Sequence, residues 1–261
     1  MPSRQNDPSK PQRPIKRRVN KRPVATTNVY HMLTAKKTTI PLELGSKNVS
    51  KFSLEIIDVG EVDVCDPEDP NRNNHCIFRL TFAEATPEAT PHAPIKTRGL
   101  VLDVVPDEQK ETTTTCEFHM KTFQYEGPHR DALEVIDLPI RGKKTARDFV
   151  RVLRNSGMIP CEFIWSELFL DGYRDFASQF IYHLNDKKVL ELPEDAATTI
   201  FGQFNLRLND GVEDTPAPVT YAVFTKDYEH VSIEGIEYKG TRRVQGEDDE
   251  EDYTDNEYDE E

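Results

Sequence analysis

The sequence is short of apolar residues. Only 36% of its 261 positions are hydrophobic, against 31% charged. That balance is too polar for a chain packed throughout. It predicts one domain of ordinary size between charged ends. Long hydrophobic runs are missing, and none approaches the ~20 residues needed to span a bilayer, so no membrane partner is expected. The opening MPSRQNDPSKPQRP has no apolar h-region, which argues against a secretory signal. Cysteine is scarce. Cys65, Cys76, Cys116 and Cys161 are widely spaced, with no CxxC pair and no zinc signature. They read as reduced thiols in or near a core, which places the chain in cytoplasm or nucleus. His31, His92, His119, His129, His183 and His230 show no ligand spacing, so neither metal nor cofactor is expected.

The formal net charge of -14 is unevenly divided. Residues 1–45 form a basic, Pro-rich arm, and KPQRPIKRRVNKRP cannot bury enough surface to fold. Lys16, Arg17, Arg18, Lys21 and Arg22 make a compact cluster. Such clusters serve nuclear import or phosphate contact, or are simply solvated. Residues 241–261 form an acidic tail that ends GEDDEEDYTDNEYDEE. It is self-repelling and expected to be disordered. It suits a basic partner, the chain's own arm, or plain solubilisation. Thr254, followed by Glu257 and other acids, fits an acid-directed kinase.

Residues 46–240 read as a single α+β domain. FSLEIIDVGEVDV (52–64) alternates apolar and polar residues, as a half-buried strand does. HCIFRLTF (75–82) alternates too: Cys76, Phe78, Leu80 and Phe82 share one face, and His75, Ile77 and Arg79 the other. GLVLDVV (99–105), CEFHMKTFQY (116–125) and LEVIDLPI (133–140) are further strands. The period then changes. TARDFVRVLRNSG (145–157) is a helix with a Thr145/Asp148 capping box and a Gly157 stop. MIPCEFIWSELF (158–169) connects to a second helix in FLDGYRDFASQFIYHL, capped by Asp171. There Tyr173, Phe176, Phe180, Ile181 and Leu184 make a wide apolar stripe. A weaker helix at 194–202 and late strands within 219–238 complete the order, strands first and helices after.

One constellation carries chemistry. A histidine on a strand, facing the first turn of a helix, is a catalytic layout when that turn bears a nucleophile. The helix N-terminus stabilises an anion and lowers the pKa of a thiol placed there. His75 is the candidate base, Asp103 the residue that orients its imidazole, and Gly172 lets the chain approach closely. Tyr173 stands in the nucleophile's place. A phenol of pKa near ~10 is a poor substitute for a thiolate. Tyr173 is also readable as a plain core residue, and Arg174 as the partner of an acid or a turn cap. Cys76 points away from His75 by strand alternation, and Cys161, which precedes the helix in a connecting segment, is the better candidate for a substitute thiol.

NNHCIFRL is similar to the N-H-W-x-I-Y-L strand of a domain of unknown function found mainly in filamentous fungi. GLVLDV falls at that family's S-V-R-x-N-M strand, and DGYRDFASQFIYHL resembles its S-G-C-R-[YF]-W-V helix. The resemblance spans roughly residues 52–200. That family in turn looks like a remote relative of permuted papain-like folds of the lecithin:retinol acyltransferase group. The resemblance implies a small antiparallel sheet packed on two or three helices, with His75 facing the helix N-terminus. It also implies Cys-His chemistry, which this chain departs from: the cysteine position is Tyr173, the tryptophan is Cys76, and the third motif's arginine and asparagine are Val101 and Asp103.

Three functions follow. One is a degenerate, non-catalytic papain-like module that binds or scaffolds protein, with His75, Tyr173, Asp103 and Arg174 marking the lost site. A second is a cysteine hydrolase or acyltransferase using Cys161. The third is a nucleic-acid- or chromatin-associated protein working through its charged tails.

Overall fold

The computed structural model describes residues 29–32, 40–58, 74–87, 96–109, 113–166, 169–208 and 214–245. The basic cluster at Lys16, Arg17, Arg18, Lys21 and Arg22, together with Cys65, His92 and the acidic run with Thr254, lies outside the described residues. Among the described residues no helix is long and apolar enough to cross a membrane.

The alternating segments form strands β1 (Val29–Met32), β2 (Val49–Asp58), β3 (Asn74–Pro87), β4 (Lys96–Gln109), β5 (Thr113–Phe123), β6 (Ala132–Leu138), β7 (Cys161–Ser166) and β8 (Phe169–Asp171). Five two-residue strands follow: β9 (Leu206–Arg207), β10 (Thr215–Pro216), β11 (Val219–Thr220), β12 (Val223–Phe224) and β13 (Tyr238–Lys239). The main sheet is antiparallel and runs β12-β7-β5-β4-β3-β2-β6, with β1 added on β5 and β8 on β7. This seven-strand path corrects the small sheet expected above. The enlargement comes from CEFIWS, expected as a connector. Its own alternation lets it pair with β5, β8 and β12 at once. Val29–Met32 pairs with β5, Leu44 is buried just before residue 46, and Gln245 N–H donates to the Phe224 carbonyl.

The helices are α1 (Leu42–Gly45), α2 (Ala146–Asn155), α3 (Tyr173–Asp186) and α4 (Ala196–Thr199), the last followed by a 3-10 turn at Phe201–Asn205. The Thr145/Asp148 box forms: Thr145 N–H and Oγ1 donate to Asp148 Oδ2 at 2.8 and 2.9 Å. Gly157, with φ 78°, follows the helix end. The inward faces of the sheet and helices share one core. Phe52 stacks on Phe78 at 5.6 Å between centroids, and Phe78 meets Phe180 of α3 edge-on at 5.0 Å. The opposite face carries a smaller cluster of Ile77, Val101 and Phe123. Arg79 lies over the Phe123 ring at 3.8 Å, with Glu55 3.5 Å away. Both are almost fully buried, and a charge buried on an apolar face must be paired.

Candidate functional site

The site opens where two strands part. β2 pairs with β3 down to Asp58↔Asn74, and β4 pairs with β5 out to Gln109↔Thr114. The β3–β4 ladder between them stops at Phe78↔Leu102. Below that pair His75 and Asp103 stand across a gap with no backbone ladder to fill it. Their side chains fill it instead: the His75 Nε2···Asp103 Oδ1 contact is 2.6 Å. Lys121 Nζ donates to Asp103 Oδ2, also at 2.6 Å. The gap explains how His75 meets a helix on the core side although alternation puts it with Ile77 and Arg79.

Tyr173 enters from the first turn of α3. Its ring lies 4.5 Å from the His75 ring at 85°, edge to face, and 4.3 Å from Phe163 of β7. The approach needs Gly172, which has φ 123°; a Cβ there would meet Phe163 Cδ1 at 2.6 Å. Gly172 is also the residue that begins the helix, not Asp171 as expected. Asp171 belongs to β8, with its Oδ2 3.7 Å from Lys239 Nζ. Pairing with β7 extends the strand to Asp171 and leaves only glycine to make the turn.

The electrostatics favour a closed proton inventory. Burial alone would raise the Asp103 pKa, but the hydrogen bonds and charges of His75 and Lys121 outweigh it and hold the carboxyl well below the usual range. The group that α3 brings against the His75 ring is Tyr173, a phenol. Burial, and then the acidic neighbours Cys116, Asp103, Cys161 and Cys76, push Tyr173 above its ordinary value. It stays protonated at neutral pH and cannot act as an alkoxide-like nucleophile.

The thiols surround the tyrosine without replacing it. Cys161 is 2% exposed and lies on β7, directly opposite Cys116 of β5, not in a loop before the helix. Burial, and then a hydrogen bond with Cys161, raises the Cys116 pKa. Cys76 faces the core, as alternation requires, and burial pushes it up to about 12. Such thiols are poor nucleophiles. Arg174 reaches toward the later chain. Its guanidinium donates to three carbonyls, those of Phe204, Ala217 and Pro218, at 2.6, 2.6 and 3.1 Å. It was expected to pair with an acid or cap a turn. These bonds tie Phe204, Ala217 and Pro218 to α3, ~100° of helix rotation away from Tyr173.

A second polar cluster has no counterpart in the sequence reading. Asp175, Ser178 and Gln179 are fully buried in α3. Asp175 accepts from Ala222 N–H at 2.8 Å and from the Tyr238 hydroxyl at 3.2 Å, and faces His230 Nε2 at 2.9 Å. Gln179 bonds both backbone groups of Val231, and the Tyr228 hydroxyl donates to its Oε1. The one available signal was Asp175 and Gln179 at i, i+4 inside an apolar stripe. Their partners lie about fifty positions downstream and carry no pattern. Among the described residues no group of three or more His, Cys, Asp or Glu stands placed to hold a metal ion.

No family model, no curated protein and no solved structure matches this chain. Its chemistry therefore rests on its own residues.

Proposed function

We propose that the chain is a non-catalytic module, a papain-like layout that has lost its nucleophile and works by binding or scaffolding protein. One observation carries the reading: Tyr173 packs edge-on against a carboxylate-held His75, in the turn where a thiol would be needed. The resemblance to the fungal family and to permuted papain-like folds belongs to this proposal and is supported by that juxtaposition. The retained His75–Asp103–Lys121 group serves as a polar contact for a ligand. The site works in a reducing compartment, cytoplasm or nucleus, where its thiols stay free.

The test uses the full chain with an activated ester and a peptide substrate. No His75-dependent turnover is expected. Turnover abolished by His75→Ala would overturn the proposal and favour a relocated thiol. Tyr173→Cys supplies the positive arm. Its new thiol lies beside His75 and is expected to react with a thiol probe at neutral pH faster than any native cysteine. Equal labelling rates would show that His75 is no base for that position.

A further inference from the structure

The protein is acidic, yet one face of it is basic. Residues 141–155 hold six cations, Arg141, Lys143, Lys144, Arg147, Arg151 and Arg154, and one acid, Asp148. On α2 the exposed residues are Arg147, Arg151, Arg154 and Asn155, while Phe149, Val150 and Leu153 are buried. Spacings of four and three put the three guanidiniums on one side. Between this side and the end of α3 lies a groove of ≈ 320 Å³, walled by Lys144, Asp148, Arg151, Asn155, His183 and Lys187. Its one carboxylate is already committed. Asp148 accepts from Thr145 N–H and Oγ1 and from Arg151 Nη2. Lys187 is held at the rim by Asp186 at 2.7 Å. The lining is therefore net cationic in a chain of formal charge -14.

Near its described end the chain comes within two contacts of this groove's wall. Arg242 Nη2 donates to the Tyr228 carbonyl at 2.9 Å, and the Tyr228 hydroxyl contacts His183 Nε2, in the groove wall, at 3.0 Å. Gln245 is anchored on Phe224. Sixteen residues follow, 246–261, and eleven are Asp or Glu. Fully extended they reach ~50 Å, against ~15 Å for the whole length of the ten-residue α2. Exposed ion pairs are individually weak. A tether this short supplies an effective concentration of order mM, so several weak pairs suffice.

We propose that the groove between α2 and the C-terminal end of α3 is the docking site of the chain's own acidic segment, residues 246–261. The contact is intramolecular and polyelectrolyte in character. An external polyanion, whether nucleic acid or an acidic protein, competes for the same guanidinium face.

Zero-length carbodiimide cross-linking of the full chain tests this, because it joins lysine to carboxylate only in direct contact. Lys51 and Asp137, 2.8 Å apart on the surface, are the internal control for folding in every sample. Links from Lys144 or Lys187 to residues 247–252 are expected at low salt, unchanged on ~10-fold dilution and lost near ~1 M salt, where screening is complete within a few ångströms. Arg147→Glu with Arg151→Glu removes no cross-linkable amine. It should cut the Lys144 links about fivefold, the worth of two reversed surface pairs, and spare the Lys51–Asp137 link. Links that run instead to Lys16 or Lys21 would overturn the proposal in favour of the basic arm. Links that vanish on dilution would assign the contact to a second copy. Absence of tail links at low salt, with the control intact, would end it.

Discussion

Asp103 divides its carboxylate between two donors, His75 on Oδ1 and Lys121 on Oδ2. Its pKa lies below the unfolded value of ~3.9. The folded state therefore binds fewer protons than the unfolded state as pH falls through that range. The stabilisation is fully present above ~pH 4 and drains away below it. Asp103→Asn should cost about 1.5–3 kcal/mol at neutral pH and flatten the acid limb, as read from urea denaturation between ~pH 3 and ~pH 7. The thiols give a second expectation. Cys76, Cys116 and Cys161 should label slowly in the native protein and fast in denaturant, followed by absorbance of a thiol reagent. At this scale the site was half legible. His75, Asp103 and Tyr173 could be picked because each sits at a patterned place, a strand or a helix start. Lys121 and Cys116 could not, because cross-strand neighbours are set by register, and no local spacing encodes register.

The first turn of α3 is where element geometry is most constrained. Gly172→Ala would force a Cβ into Phe163 at a φ that L residues avoid. A loss of roughly 1–3 kcal/mol is expected, seen as a lower thermal midpoint with helix content largely kept. Farther along, Asp175→Ala leaves His230 and the Ala222 N–H buried without their acceptor, at a cost of about 1–3 kcal/mol for each orphaned group. Hydrogen exchange should then accelerate first at Ala222 and Val231, ahead of the central strands, because both amides depend on the α3 polar residues. The helices were readable from caps and period. The segment after residue 200 was readable only in outline, as late strands within 219–238, where Val219–Thr220 and Val223–Phe224 form and Tyr238–Lys239 begins. Its strands are two residues long, too short for alternation to show, and its order comes from hydrogen bonds to Arg174, Asp175 and Gln179.

Across the whole molecule, the sheet joins segments far apart in the chain. β2 pairs with β6 through Phe52↔Leu138, and β7 with β12 through Cys161↔Phe224. Such topology pays loop-closure entropy early, so refolding from denaturant should fall in the millisecond-to-second range, measurable by stopped-flow fluorescence of the single tryptophan, Trp165. The strand order itself lay beyond sequence reading, since alternation marks which segments are strands and not which neighbours they choose. One consequence reaches from end to end of this architecture. Tyr173 and Asp175 stand in the same helical turn, one wedged between His75 and Phe163, the other grasping Ala222, His230 and Tyr238. Turning α3 by a single residue, ~100°, would pull both out of their seats together. The helix start is thus a keyed spindle: the carboxyl-terminal wrapping and the histidine gap have no independent play, and a tug on either is felt by the other.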